Sequence, residues 1–387
     1  MKKKVAILGS TGSIGKNLIN LIKKDKNNFE IILLSAKKNY QELAKQAKLF
    51  KVKNLIITNK KSYLKLKKQK FSQKTNIFND FLSFQKIFKN KIDYTMCAIS
   101  GLEGLYPTLK IIKYTKLIAI ANKEAIICGW NILAKELKKN KTKFVPVDSE
   151  HFSLHYALQN NSIENIENIY LTASGGPFHK TPLKRFKNIN ITDTLKHPNW
   201  SMGKKISVDS ATLMNKVFEI IEAHKIFNIS YKKIKILVHP KSYVHAVLKF
   251  KDGMIKIIAH DTNMAIPIHN TLYHDKIKFI KTKKLDIRKL NSLKFETVNY
   301  KKFPLVKIIS KLSDTNSLFE TIIVSTNDEL VNQYLNKKIN FIDLIYKINK
   351  FINLNEFKKY KLIKPKKIET IEKLDTYVRF KIRKLSV

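Results

Sequence analysis

The amino-acid sequence predicts an α/β fold, because short apolar runs alternate with helical patterns over residues 1–148. Strands separated by helices are typical of a parallel, doubly wound sheet. Residues 149–285 combine further strand patterns with a long helical pattern, which indicates a second, α+β domain. Helical periodicity dominates residues 313–387, so we expect a small C-terminal helical domain after a lysine-rich linker at 286–312.

The predicted elements follow in chain order. In the first domain the strand patterns are VAILG, EIILLSA, LIIT, YTMCAIS, LIAIAN and FVPVD, with helices at about 14–24 and 40–50. In the second domain they are NIYLTAS, KIKILVH, HAVLKF and IKIIAH. A single helix is expected over 211–227, because apolar residues recur there at spacings of three and four. Ser210 then stands where the N-cap of that helix would be.

Composition limits the class of protein. The chain has 387 residues, 44% of them hydrophobic, which is enough for two or three packed domains. No apolar run approaches the roughly 18 residues of a membrane span, and MKKK leads directly into the first strand, so no signal peptide is expected. The cysteines, Cys97 and Cys128, are too few for a disulfide framework. We therefore expect a cytoplasmic protein with no membrane partner.

The net charge of +45 would suit a nucleic-acid-binding protein. The excess is almost all lysine, however, and it is spread along the chain. The few arginines are Arg185, Arg288, Arg379 and Arg383. Neither an arginine stripe nor an aromatic-rich RNA-reading patch occurs in the sequence. We interpret the charge as a solvated surface that helps to attract phosphorylated metabolites, without a dedicated nucleic-acid partner.

A glycine-rich loop, GSTGSIG, follows the first predicted strand and leads into the first helix. Glycines at positions 9, 12 and 15 allow a tight turn and a close approach to a pyrophosphate at the helix N-terminus. The second strand ends in LLSAKKNY, which supplies Lys37 and Lys38 and no acid. Cations at that point suit a 2′-phosphate, so the sequence favours NADPH over NADH.

Two carboxylates, Asp148 and Glu150, follow the strand pattern FVPVD. In an extended chain they would share one face and repel each other unless a cation lay between them. Oxygen ligands suit Mg²⁺ or Mn²⁺, and Glu219 on the predicted helix is the natural third ligand. The alternative is an ordinary solvated loop.

The segment SGGPF places Ser174 and two glycines at another predicted strand end, where backbone amides and a hydroxyl suit a phosphate. Ser210, Asn215, Lys216 and His197 would add further donors for a phosphate monoester. We expect the segment from Trp200 to Gly203 to form a flap that closes over the substrate.

Five motifs in order carry a resemblance to a known family. They are GSTGSIG (9–15), ANKEAII (121–127), VDSEH (147–151), SGGPF (174–178) and HPNWSMGKKISVDSATLMNK (197–216). With them the chain resembles the 1-deoxy-D-xylulose 5-phosphate reductoisomerases over almost its whole length. The resemblance implies a Rossmann-like NADPH domain, a catalytic and dimerising middle domain, a helical C-terminal domain and assembly as a homodimer.

The resemblance also implies a reaction in two steps. A metal-dependent rearrangement of a sugar phosphate, 1-deoxy-D-xylulose 5-phosphate, would be followed by hydride transfer from NADPH. The product would be 2-C-methyl-D-erythritol 4-phosphate, in non-mevalonate isoprenoid precursor biosynthesis. A simple NADP-linked dehydrogenase is the enzymatic alternative, but it would not need three carboxylates for a divalent ion.

The matched motifs imply the site residue by residue. The cofactor-binding residues are Thr11, Gly12, Ser13, Ile14, Lys37, Lys38, Asn39, Asn122, Glu124 and Gly203. The ligands of Mg²⁺ or Mn²⁺ are Asp148, Glu150 and Glu219, which together with Lys123 form the catalytic set. The substrate-binding residues are Lys123, Ser149, Glu150, Ser174, His197, Ser210, Asn215, Lys216 and Glu219.

Some positions depart from the family pattern. Lys37 and Val217 stand where glycine is usual, and STNDELVNQYL (325–335) replaces a C-terminal Asn-Ala-Ala-Asn-Glu segment. None of these departures removes a ligand. We interpret four histidines in strand patterns as packing residues, namely His239, His245, His260 and His269. The charged end, RFKIRKLSV, is predicted to be a frayed tail.

Overall fold

We describe the protein from a computed structural model that covers residues 1–71, 74–159, 161–200 and 202–385. Ser201 in the predicted flap and the last two residues of the predicted tail lie outside the described residues. The chain divides into two compact units. The first comprises residues 1–125, 132–148 and 264–280, and the second comprises 126–131, 149–263 and 281–387.

The first unit contains a parallel sheet, as the strand patterns predict. The described strands are β1 Lys3–Leu8, β2 Phe29–Ala36, β3 Asn54–Ile57, β4 Asn76–Phe78, β5 Ile92–Cys97, β6 Thr115–Ile120 and β7 Lys143–Pro146. Their order across the sheet is β4-β3-β2-β1-β5-β6-β7, and all pairs are parallel. The order reverses beside β1, which places the glycine loop at the switch point where such sheets bind ligands. The short strand β4 was not predicted.

The second unit contains a mixed sheet with the strands that the sequence predicts. They are β8 Ile166–Ala173, β9 Ile234–Val238, β10 Val244–Phe250 and β11 Ile255–Ala259. The order is β11-β10-β8-β9, in which β8 and β9 are parallel and the other pairs antiparallel. The edge strand β11 leaves Ile255 and Ile257, and the preceding Met254, exposed.

Helices connect most of the strands and make up most of the C-terminal region. Their bounds are α1 Ser13–Lys24, α2 Tyr40–Phe50, α3 Lys60–Lys67, α4 Phe84–Ile87, α5 Leu105–Ile111, α6 Lys123–Lys139, α7 Ser149–Ala157, α8 Ile191–Leu195, α9 Lys204–Ala211, α10 Met214–Phe227, α11 Ala265–Leu272, α12 Ile287–Asn291, α13 Phe319–Leu335, α14 Phe341–Ile352 and α15 Ile368–Leu385. None of the helices in the described ranges is both long and apolar enough to cross a bilayer. The prediction of an α/β fold is confirmed.

The helix predicted over 211–227 is confirmed as α10 Met214–Phe227, but its predicted start is wrong. A separate helix, α9, ends at Ala211, and Thr212 and Leu213 lie between the two; the φ of Leu213, 58°, is left-handed. Leu213 is buried in a cluster with Ala173 and Val238 at the ends of β8 and β9, and this packing breaks the helix. Ser210 therefore lies in the last turn of α9 and is not an N-cap.

The frayed-tail prediction is also wrong, because the end of the chain is helical through Leu385. Arg379 on α15 contacts Asp328 on α13, with Nη2 and Oδ2 3.1 Å apart. Arg383 makes two hydrogen bonds to the carboxylate of Glu329, at 2.9 and 2.8 Å. These charge-assisted contacts hold the charged end against α13, and composition alone does not reveal them.

Candidate active site

The glycine loop after β1 is held in a tight turn. Gly9 has a φ of +84°, and a Cβ there would lie 2.6 Å from the carbonyl oxygen of Ala98. A Cβ on Gly15 would collide with the Gly9 carbonyl oxygen. Gly12 is the N-cap of α1 and has no side chain to occupy the first free amides of the helix. The Gly12 amide closes the turn on the Gly9 carbonyl oxygen at 3.2 Å, and the first amides of α1, which begins at Ser13, have no side-chain cap, an arrangement that suits a pyrophosphate.

The end of β2 carries the predicted cofactor cations. Lys37 Nζ lies 2.6 Å from the carboxylate of Glu103, and both side chains are more than half exposed. Asn39 caps α2 by accepting a hydrogen bond from the Glu42 amide at 3.1 Å. Lys38, between them, accepts the Tyr40 amide through its backbone carbonyl. Lys37 therefore forms an ion pair with Glu103, which the sequence analysis did not predict.

The ANKE segment is fixed through Asn122. Its Oδ1 accepts the Ala125 amide at 2.9 Å and caps α6, while its Nδ2 donates to the carbonyl oxygens of Gly101, at 2.9 Å, and Ile99. Lys123 and Glu124 follow in the first turn of α6, and both are buried. The Lys123 ammonium lies 3.3 Å from Oδ2 of Asp148. This cation therefore holds Asp148 at the end of the first unit.

Asp148 and Glu150 do not share a strand face, so that prediction is wrong. Strand β7 ends at Pro146 and α7 begins at Ser149, which puts Glu150 in the first helical turn. An acid is favoured there because free amides and the helix dipole are positive. The Ser149 hydroxyl donates a hydrogen bond to Glu150 Oε2.

A carboxylate oxygen of Glu150 and one of Glu219 lie within 4.8 Å of each other. The ammonium of Lys216 contacts both carboxylates, at 3.1 Å from Glu150 Oε1 and in close contact with Glu219 Oε2. Asn215 Nδ2 donates to the other oxygen of Glu219. Lys216 and Glu219 are buried and Glu150 is partly buried, and the ammonium offsets the repulsion between the two carboxylates. An all-oxygen pair of this kind fits Mg²⁺ or Mn²⁺.

Two residues that the sequence analysis did not predict, His151 and Glu222, fix the backbone at Glu219 through a chain of contacts. His151 Nε2 lies 2.8 Å from the backbone oxygen of Glu219, and its Nδ1 lies 3.2 Å from Glu222 Oε2. Both side chains are buried. The available signals were the position of His151 directly after Glu150 and that of Glu222 one turn beyond Glu219.

Ser174 follows β8 and lies beside His197. His197 Nδ1 accepts the backbone amides of Asn199 and Trp200, at 3.2 and 3.0 Å, so its proton is on Nε2. That nitrogen lies 3.0 Å from Ser174 Oγ, which also accepts the Gly176 amide at 3.0 Å. Burial lowers the pKa of His197 to about 4, which keeps the ring neutral. The Ser174 oxygen accepts both bonds and retains its own proton to donate to an anion.

The loop after Ser174 packs directly on the end of α9. Gly175 and Gly176 have φ angles of +83° and +68°, and a Cβ on Gly176 would lie 2.6 Å from the carbonyl oxygen of Ser210. The structure thus brings together Ser174, His197 and the backbone of Ser210. Asn215 and Lys216 lie just beyond, in the first turn of α10.

Asn199, directly before the predicted flap, contacts the loop after β9. Asn199 Nδ2 donates to the carbonyl oxygen of Pro240 at 2.6 Å and to Ser242 Oγ at 2.8 Å. The Trp200 ring meets His245 edge-on, at 6.2 Å between centroids. His245 in turn stacks on His260, at 3.8 Å, which agrees with a packing role for these histidines. Gly203, at the exposed start of α9, has no described atom within 4 Å of an added Cβ.

Comparison with known proteins identifies the family. Family profiles match residues 5–129, described as 1-deoxy-D-xylulose 5-phosphate reductoisomerase, and 144–227 and 261–381, described as C-terminal domains of that enzyme. The reductoisomerase of Pelagibacter ubique is 57% identical over 387 residues, which is the whole of both chains. The chain belongs to the 1-deoxy-D-xylulose 5-phosphate reductoisomerase family.

Further reductoisomerases agree with this assignment. The enzyme of a Wolbachia strain from Drosophila simulans is 40% identical over 346 residues, 89% of this chain and 88% of that one. The solved structure of the Zymomonas mobilis reductoisomerase in complex with NADPH has a TM-score of 0.88 at 30% identity and covers 100% of this chain and 99% of its own. A reductoisomerase in complex with NADPH, fosmidomycin and magnesium has a TM-score of 0.85 at 28% identity, with 99% and 98% covered. The family and fold predictions are therefore confirmed.

Proposed function

We propose that this reductoisomerase converts 1-deoxy-D-xylulose 5-phosphate into 2-C-methyl-D-erythritol 4-phosphate in the non-mevalonate route to isoprenoid precursors. A divalent cation held by the site carboxylates would assist the rearrangement of the substrate skeleton, and NADPH held at the glycine loop would supply the hydride. The single observation that carries the proposal is the pair of carboxylates formed by buried Glu219 and partly buried Glu150, both in contact with the Lys216 ammonium, in a chain of this family. The pair offers the oxygen ligands that a metal-assisted rearrangement needs.

Asp148, Glu150 and Glu219 are the proposed ligands of Mg²⁺ or Mn²⁺. Asp148 precedes Glu150 by two residues in the chain and is oriented by Lys123 in its own unit. When bound, the ion supplies Lewis-acid polarisation of the substrate carbonyl and hydroxyl oxygens. Asn215 and Ser149 orient the carboxylates of Glu219 and Glu150 by hydrogen bonds. Lys216 is suited to bind the anionic substrate, because its ammonium lies beside the proposed ligands Glu150 and Glu219.

The substrate phosphate is proposed to bind Ser174, His197, Ser210, Asn215 and Lys216. Neutral His197 donates through Nε2 to Ser174 and so directs the serine hydroxyl proton outward. The amides around the left-handed Gly175 and Gly176 add further donors. Lys123 adds positive charge on the side of Asp148.

NADPH is proposed to bind the turn from Thr11 to Ile14, where α1 begins without a side-chain cap. Its 2′-phosphate is met by cations at the end of β2. The remaining proposed contacts are Lys37, Lys38, Asn39, Asn122, Glu124 and Gly203. The buried first turn of α6 supports the inclusion of Asn122 and Glu124, because Asn122 fixes that turn to the loop after β5.

The proposal includes a homodimer formed through β11. Met254, Ile255 and Ile257 are 66%, 57% and 48% exposed on or beside this edge strand. An apolar open edge invites strand pairing, and a second copy of the same edge satisfies it symmetrically. Light scattering on the purified protein is expected to give twice the monomer mass, and Ile257→Lys is expected to shift it toward monomer. A monomeric wild-type protein would contradict this part of the proposal.

We assign a function to each domain within the boundaries predicted from the sequence. Residues 1–148 bind NADPH, residues 149–285 carry catalysis and dimerisation, 286–312 form the linker, and 313–387 form the helical C-terminal domain. A cytoplasmic location is included, and it is supported by the free, buried thiols of Cys97 and Cys128.

The test is the oxidation of NADPH by the purified protein with 1-deoxy-D-xylulose 5-phosphate, in Mg²⁺, in Mn²⁺ and in EDTA. We expect turnover with either ion and none with the chelator, and restoration when metal is added back. Turnover that is indifferent to EDTA would refute the metal assignment. Absence of turnover with both metals would refute the proposed reaction itself.

A further inference from the structure

Asp209 on α9 is a buried carboxylate next to the proposed phosphate residue Ser210, and no role was expected for it. Its side chain is 2% exposed. Asn327 Nδ2 on α13 donates a hydrogen bond to Oδ1 of Asp209 at 2.7 Å. Lys205 Nζ, one turn back on α9, lies 3.1 Å from Oδ2. A buried carboxylate with defined partners on two helices fixes their relative position, because losing either partner would leave it uncompensated.

The contacts continue outward to the last helix of the chain. Lys205 Nζ also lies 3.0 Å from Asp328 Oδ1, and Arg379 on α15 reaches the other oxygen of Asp328 at 3.1 Å. Arg379 Nε lies 2.8 Å from Asp375 of the same helix. The acids raise the pKa of Arg379 further than its burial lowers it, so the guanidinium stays charged. The network, defined as Lys205, Asp209, Asn327, Asp328 and Arg379, joins α9, α13 and α15.

The network borders the phosphate residues on two sides. Ser210 follows Asp209 directly, and its carbonyl oxygen abuts Gly176 so closely that no Cβ would fit between them. Ser174 accepts the Gly176 amide at 3.0 Å. On the other side, the Lys205 ammonium lies 5.3 Å from the ring centroid of Phe218, the residue before Glu219. A small shift of α9 would therefore move Ser210 and the Ser174 loop together.

We infer that Asp209 is a positioning residue for phosphate binding, held by Asn327 and Lys205, so that the C-terminal helices set the affinity of the site for the substrate phosphate. The inference rests on the proposed function for the identity of the phosphate residues. It assigns a role in substrate binding to α13 and α15, which carry none of the residues proposed to contact substrate.

The sharpest test swaps the two side chains of the Asp209–Asn327 hydrogen bond, so that each position carries the other's residue type. Asn327→Asp places two carboxylates face to face, whereas the double variant Asp209→Asn with Asn327→Asp restores one donor and one acceptor at unchanged total charge. Affinity for inorganic phosphate is measured by calorimetry, and KM for the sugar phosphate, KM for NADPH and kcat are measured in parallel. We expect Asn327→Asp to weaken phosphate binding and raise the substrate KM about tenfold or more. The double variant should recover most of that loss, and KM for NADPH should not change.

Arg379→Met supplies a milder perturbation at the partly exposed end of the network, in case the buried variants do not fold. It is expected to weaken phosphate binding about two- to fivefold. Arg383→Met is the matched control, because Arg383 is on the same helix and pairs with Glu329 on α13 outside the network. Its phosphate affinity should equal that of the wild type.

Unchanged phosphate affinity in folded Asn327→Asp or in Arg379→Met would overturn the inference, as would equal losses in Arg379→Met and Arg383→Met. Phosphate affinity is measured without turnover, so this result is separate from a failure of the proposed reaction. That failure would appear as a wild-type protein that binds phosphate but does not oxidise NADPH.

Discussion

Lys216 and Glu150 meet across the site, with Nζ of the lysine 3.1 Å from Oε1 of the glutamate, although 66 residues separate them. The same ammonium contacts Glu219 one turn along α10. Two carboxylates brought so close repel each other, the more so because Glu219 is buried, and the ammonium between them offsets that repulsion. This geometry leads to specific expectations for the site.

Glu219→Gln should abolish turnover while leaving NADPH affinity nearly intact. Removing partners of metal ligands commonly costs 10- to 100-fold, so loss of a ligand itself should lower kcat by at least about 100-fold. The measurement is steady-state NADPH oxidation together with direct NADPH binding. Glu320→Gln is the control, since Glu320 is another buried glutamate paired with a lysine, at 2.9 Å, outside the site. Normal turnover in Glu219→Gln would contradict the assignment.

Lys216→Met should destabilise the metal-free protein and enlarge its response to Mg²⁺. Breaking a buried ion pair costs about 3–5 kcal/mol, because the carboxylates keep their charge without a partner. A divalent ion then relieves a larger repulsion, so Mg²⁺ should raise the melting temperature more than in the wild type. Lys225→Met, which removes another buried ammonium, should lose stability without that recovery. Equal Mg²⁺ responses in both variants would argue against a metal beside Lys216.

The pH dependence of stability should include a contribution from His197. Burial lowers its folded-state pKa from 6.5 to about 4, so the unfolded chain binds the extra proton first as the solution is acidified. The contribution of neutral His197 to the free energy of unfolding is complete above pH 6.5 and is lost as the pH falls toward 4. Chemical denaturation at several pH values should show a shallower acid slope in His197→Gln. An unchanged slope would mean that His197 is not neutral in the folded state.

Glu103→Gln should improve NADPH binding by freeing Lys37. The pair is exposed, so the effect should be only about two- to fivefold and should shrink with added salt. KM for NADPH should fall, while KM for NADH, which lacks the 2′-phosphate, should not. Asp93→Asn, which breaks the surface pair with Lys116 elsewhere in the first unit, is the control. A rise in KM for NADPH would show that Glu103 orients Lys37 productively.

Much of the fold follows from the sequence because its signals are local. The period of apolar residues predicts the strands and α1, and the glycine spacing predicts a turn that only glycine fits, as Gly9 demonstrates. The break at Leu213 could not be predicted, since the apolar pattern runs through it and its cause is a distant cluster around Val238. The link between Asp209 and Asn327 spans 118 residues and has no local signature.

The two arginines of the final helix, Arg379 and Arg383, contribute hydrogen-bond geometry that the net charge of the chain does not reveal. Among 75 basic residues only four are arginines, and the two near the C-terminus each engage acids through two separate nitrogens. A lysine offers its charge from one point and would lose one bond of each pair. Exchanging either arginine for lysine would therefore preserve the formal charge of the chain and still loosen its end. The planar guanidinium, with nitrogens that can bond to two oxygens at once, is therefore what α15 needs at these two positions.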